Sequence, residues 1–171
     1  MQLYGLLEGL KEQLASPNFQ GLSFEERLGL LVDREYLLRE NRHLARRLKE
    51  TRLKCKAQLE DVDFTARRGL EKGSFLELAA CSWVARHHNL ILTGPTGVGK
   101  TYLASALAQK ACREGYRVLY FRFSDFLREL TMSMAEASYP KLAQKIAKRD
   151  LLVIDDWLRD PVSPERDRCT V

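Results

Sequence analysis

Leu90-Ile91-Leu92-Thr93-Gly94-Pro95-Thr96-Gly97-Val98-Gly99-Lys100-Thr101 is the stretch that decides the fold class of this chain. An apolar run ends in a loop that satisfies G-x-x-x-x-G-K-[ST] at every position, and residues 100–113 that follow have the composition of a helix. The glycines let the backbone curl so that successive amides point inward at phosphate oxygens, where a side chain would obstruct the approach. Lys100 is placed to bridge the β- and γ-phosphates of a nucleoside triphosphate, and Thr101 to offer its hydroxyl to Mg²⁺. The start of the following helix adds the positive end of its dipole. Residues 94–101 are therefore the expected nucleotide-binding set.

Working toward the C-terminus, helix and strand patterns alternate. Arg117-Val118-Leu119-Tyr120-Phe121 reads as a strand entered through Gly115, which suits a helix C-terminal cap. Ser124 is expected to cap a helix carrying Phe126, Leu127, Leu130 and Met134, and Pro140 fits the first turn of another. Leu151-Leu152-Val153-Ile154-Asp155 reads as a further strand. With 89–93, these continuous apolar strands between helices predict a parallel sheet covered on both faces. Asp155 is expected to hold the Mg²⁺ shell through water, and Asp156 to orient an attacking water as the catalytic acid-base group. An adjacent carboxylate pair also argues against a small-molecule kinase.

Toward the N-terminus, residues 1–60 read as helical. Leu3, Leu6, Leu7, Leu10 and Leu14 recur at the spacing of a buried helix face, and Ala15-Ser16-Pro17-Asn18 breaks the pattern. Ser23-Phe24-Glu25-Glu26 has the form of a capping box opening a long helix to about Lys56, with Leu28, Leu31, Leu38, Leu44 and Leu48 as candidate buried positions. Residues 39–56 hold eight basic and two acidic residues, so the segment carries +6 while the rest of the chain stands at −1. Two readings stay open for this run: a solvated helix face, or a phosphate-backbone contact surface with little sequence preference, made by Arg39, Arg42, Arg46, Arg47, Lys49 and Arg52.

Other residue types point to no further chemistry. The four cysteines, Cys55, Cys81, Cys112 and Cys169, form no C-x-x-C pair, and Cys81 and Cys112 read as small core residues on helix faces. His87 and His88 have no metal partners nearby, and Trp83, Trp157 and the phenylalanines read as core. At 45% hydrophobic and 30% charged the chain is expected to be neither disordered throughout nor a membrane protein, and its first residues do not have the pattern expected of a signal peptide. A cytoplasmic location is expected. The expected organisation is a helical domain at 1–60, a connector at 61–73, an α/β portion at 74–160 and a polar tail at 161–171.

Taken together, Leu22 to Leu28, Ala66-Arg67-Arg68-Gly69-Leu70, Leu92 to Ala104 and Leu151 to Asp156 resemble the IstB-like transposition helper proteins, which are AAA+ ATPases related to the DnaC-type helicase loaders. The resemblance implies an incomplete P-loop NTPase sheet of the AAA+ class behind an all-helical N-terminal domain. It implies ATP and Mg²⁺ as ligands, self-association, and double-stranded DNA and an insertion-sequence transposase as partners. Members of that family continue through a sensor strand, an arginine finger and a helical lid. Here Trp157-Leu158-Arg159-Asp160 leads to Pro161, Pro164 and Val171 without a strand pattern, and Arg166 and Arg168 are not assigned as fingers. A truncated helper that favours ATP binding over hydrolysis is the resulting expectation. The alternatives are a helicase loader, or a non-catalytic DNA-binding protein carrying an inert ATPase remnant.

Overall fold

A computed structural model describes residues 3–65 and 69–157. Residues 66–68 of the connector, the tail from 158 and Cys169 lie outside the described residues. The chain divides into two compact units, 1–46 and 47–171.

The first unit is built from α1 (Tyr4–Ala15), a 3₁₀ turn at Pro17–Phe19 and the opening of α2 (Phe24–Thr51). The capping box forms as expected: the Glu26 amide donates to Ser23 Oγ at 3.2 Å, and the Ser23 amide donates to Glu26 Oε2 at 2.8 Å. Both orphan donors at the helix start are thereby satisfied. The leucine stripe of α1, however, is not its most buried face. Gly5, Gly9 and Gln13 are the buried positions, while Leu7 and Leu14 are 50% and 74% exposed. The reason is close approach. A Cβ on Gly9 would lie 2.8 Å from Leu31 Cδ2, and one on Gly5 would lie 3.0 Å from Glu35 Cα. The glycine face lets the helix backbones meet, so the bulkier leucines are turned aside. The Gly5 amide donates to Glu35 Oε2 at 2.7 Å across this contact, and Arg39 Nε donates to Glu35 Oε1 at 2.6 Å. Of the five leucines expected to be buried on α2, Leu31 is buried and Leu28 is 43% exposed.

The second unit follows the α/β order. After the end of α2 and a turn-rich stretch come α3 (Lys72–Ala79), α4 (Ser82–Ala85), α5 (Lys100–Arg113), β1 (Val118–Arg122), α6 (Phe123–Ala135), α7 (Tyr139–Ala147) and β2 (Leu151–Asp155). β1 and β2 pair in parallel, with Val118 opposite Leu151 and Arg122 opposite Asp155. Both α5 and α6 pack on β1, and α5 also packs on β2. The core gathers Phe75, Ala79, Leu103, Ala106 and Leu107 with Ala57 and Val62. Gly115 takes φ +97° and returns its amide to the Cys112 carbonyl at 3.2 Å, ending α5 as expected, and Pro140 lies in the first turn of α7.

Three local expectations change. Ser124 lies inside α6, whose N-cap is Arg122. Cys81 is buried, yet it sits at φ +57° between α3 and α4 and not on a helix face. Trp157 is 57% exposed, its ring 4.5 Å from that of Phe123.

The larger difference concerns 89–93, which forms no strand. Among the described residues the sheet has two strands, and no neighbour completes a ladder for this segment. Its side chains still alternate: Leu90 and Leu92 pack against the core while Ile91 is 81% exposed. β2 shows the matching signature. Its partner strand is buried from Val118 to Phe121, but Leu152 of β2 is 36% exposed, and among the described residues β2 pairs with β1 alone, so an apolar run suited to a covered central strand is an outer strand here.

Candidate functional site

The loop at 94–99 is shaped by its glycines. Gly94, Gly97 and Gly99 take φ of +149°, +87° and +89°, values that L side chains rarely adopt, and Gly99 forms the N-cap of α5. Residues 93–97 are exposed, so the loop is open to a ligand. Lys100 curls back over it, its Nζ donating to the carbonyls of Gly94 and Pro95 at 2.8 Å each. Two neutral carbonyls are weaker partners for an ammonium than phosphate oxygens would be, so this arrangement is exchangeable.

The C-terminal end of β2 reaches the same place. Thr101 Oγ1 donates to Asp155 Oδ2 at 2.9 Å, joining residues that lie 54 positions apart. Tyr120, buried on β1, donates its hydroxyl to the same oxygen at 2.5 Å. Burial, and then the Asp155 carboxylate, push the Tyr120 phenol well above its ordinary range, so it stays a neutral donor. Asp156 is at φ +55°, just beyond the strand, with Arg122 Nε 3.6 Å from its Oδ2. That separation makes an ion pair and not a hydrogen bond.

The donor set fits a nucleotide-held divalent cation better than a metal site built from protein alone. Among the described residues no group of three or more His, Cys, Asp or Glu could hold a metal ion. One hydroxyl and one carboxylate are hard oxygen donors, the kind Mg²⁺ takes when phosphates and water complete its shell. Burial raises the thiols of Cys81 and Cys112, which is how inert core cysteines behave.

The basic run is distributed over both units. Arg39, Arg42 and Arg46 fall in the first, and Arg47, Lys49 and Arg52 in the second. Several of these have structural partners. Arg42 stacks over Tyr4, with 5.2 Å to the ring centroid; Arg47 Nε donates to the Cys112 carbonyl at 2.9 Å; Arg52 pairs with Glu129 at 3.3 Å. Tyr120 and Arg122 are the site neighbours that sequence reasoning missed. The signal for Tyr120 was its membership of the expected strand, which stopped at Phe121 one residue short of Arg122, because the β1–β2 register that carries them to Asp155 and Asp156 is a tertiary property.

The family of IstB-like ATP binding proteins matches residues 1–169. An insertion sequence IS1162 ATP-binding protein of Pseudomonas fluorescens is 44% identical over 158 residues, which are 92% of this chain and 68% of that protein. An insertion sequence ATP-binding protein of Sinorhizobium fredii is 37% identical, covering 96% of this chain and 67% of its own length. An insertion sequence IS21 ATP-binding protein of Pseudomonas aeruginosa is 35% identical, over 88% of this chain and 56% of its own. The chain thus spans roughly half to two thirds of these relatives. With a match along almost its whole length, this chain belongs to the IstB-like ATP-binding protein family.

Proposed function

We propose that the chain is an ATP–Mg²⁺-binding helper of insertion-sequence transposition. The observation that carries the reading is the meeting of the Thr101 hydroxyl with Asp155 beside the glycine loop and Lys100. When nucleotide binds, the amides of residues 97–101 receive phosphate oxygens, and Lys100 leaves the Gly94 and Pro95 carbonyls for the β- and γ-phosphates. Mg²⁺ would supply charge neutralisation between those phosphates. Thr101 and Asp155 are the residues that would hold it, the hydroxyl as a direct oxygen donor and the carboxylate through water. Asp156 is the proposed acid-base residue, and its carboxylate must turn from Arg122 before it can orient a water.

The names of the relatives, which tie them to insertion sequences, favour transposition over helicase loading. On this reading the partners are double-stranded DNA, contacted by cations of the 39–56 run, the transposase of the element, and further copies of the chain. Among the described residues β2 pairs with β1 alone and 89–93 joins no sheet, which favours nucleotide binding over turnover. A cytoplasmic location is part of this proposal; separately, no described helix is long and apolar enough to cross a membrane. Titration with a fluorescent ATP analogue and Mg²⁺ tests the reading. Saturable binding displaced by unlabelled ATP is expected, and its absence would overturn it.

A further inference from the structure

The structure assigns Tyr120 as the positioning residue that sets which carboxylate oxygen of Asp155 faces a divalent cation, an inference that rests on the ATP–Mg²⁺ reading above. Tyr120 is 4% exposed, and its register partner is Val153, while Asp155 lies opposite Arg122. The phenol therefore leans two residues along the neighbouring strand to reach the carboxylate, where it donates to Oδ2 at 2.5 Å. Thr101 Oγ1 donates to that same oxygen at 2.9 Å.

A carboxylate oxygen offers about two lone-pair sites, so these two hydroxyls occupy Oδ2 and leave Oδ1 as the acceptor for metal-bound water. Thr101 spends its proton on Asp155 and keeps its own lone pairs for the cation. The carboxyl torsion of aspartate is intrinsically broad, and one hydrogen bond does not fix it. Tyr120 supplies the second anchor from a rigid strand, through a short charge-assisted bond. Outer partners of this kind typically change metal affinity by about 10- to 100-fold when removed.

Tyr120→Phe keeps the ring and its packing and deletes the hydroxyl alone. The experiment measures binding of a fluorescent ATP analogue by the full chain, wild type and Y120F, first in EDTA and then along a Mg²⁺ titration. The Mg²⁺ concentration at half-effect is expected to rise about tenfold in Y120F, with the EDTA affinity unchanged. Equal Mg²⁺ midpoints would overturn the inference. So would a parallel loss of affinity in EDTA, which marks a purely structural tyrosine. A wild type that binds the analogue without responding to Mg²⁺ overturns this inference and the Mg²⁺ part of the reading beneath it, whereas a wild type that binds no analogue overturns the nucleotide reading itself.

Discussion

Thr101 and Asp155 lie 2.9 Å apart, hydroxyl to carboxylate, although among the described residues no hydrogen-bonded strand connects the segment before the glycine loop to β2. The contact is held from elsewhere. Thr101 sits in the first turn of α5, α5 packs on both β1 and β2, and Tyr120 fixes the carboxylate from β1. The two halves of the candidate site thus depend on helix-to-sheet packing and not on a ladder between 89–93 and 151–155. That dependence separates what the chain is expected to bind from what it is expected to turn over.

Hydrolysis is expected to be negligible. Asp156 faces the Arg122 guanidinium at 3.6 Å, and Lys100 is the cation that the loop itself brings to the phosphates. A steady-state ATPase assay, with and without duplex DNA, should give turnover no faster than the order of 10⁻³ s⁻¹, the range of NTPases without an added arginine. Faster turnover that Asp156→Asn abolishes would contradict this.

The α1–α2 contact predicts opposite effects for two glycines. A Cβ on Gly5 meets backbone of the facing helix at 3.0 Å, so Gly5→Val should destabilise the fold by about 1–3 kcal/mol. Gly29 has nothing within 4 Å of such a Cβ and lies within α2, so Gly29→Ala should stabilise it by about 1 kcal/mol. Urea unfolding of the full chain checks both signs.

Acid sensitivity should trace in part to Asp150. Its hydrogen bonds from Arg117, opposed by burial, hold its carboxyl below the ordinary aspartate value of 3.8. Because the folded value is the lower one, the stabilisation is complete above the unfolded value and is lost as pH falls through the depressed one. The pair is partly exposed, so the effect should not exceed about 1 kcal/mol. Asp150→Asn should flatten the fall in stability below about pH 4, as read by thermal melting across a pH series.

DNA binding, if carried by the basic run, should respond to charge and not to sequence. Lys49→Glu with Lys54→Glu should weaken binding to unrelated duplexes alike and reduce the salt slope by about 2. Loss confined to one duplex, measured by fluorescence anisotropy, would contradict a phosphate-backbone surface.

Much of this was legible in the sequence because it rests on local chemistry. The bounds of α5 at Lys100 and Arg113, the β2 run, the Ser23–Glu26 box and the Gly115 cap all follow from propensity, capping and the φ freedom of glycine. What was not legible depended on neighbours. A leucine stripe is the stronger pattern on α1, yet Gly5 and Gly9 win the contact because only they permit the close approach. Residues 89–93 carry a strand composition, but a strand exists only with a partner. Tyr120 looks like any core aromatic until the register brings its hydroxyl to Asp155.

The most direct test of the account compares ATP-analogue affinity of the wild type with that of Lys100→Ala, both in saturating Mg²⁺. Among the described residues Lys100 Nζ donates to the Gly94 and Pro95 carbonyls of its own loop, so its removal should spare the fold and subtract a charge-assisted contact to phosphate. Such contacts contribute about 1.5–3 kcal/mol, so affinity should fall roughly 10- to 100-fold with the melting temperature in the absence of nucleotide unchanged. Equal affinity of the two proteins would contradict the assignment of this loop as the nucleotide site.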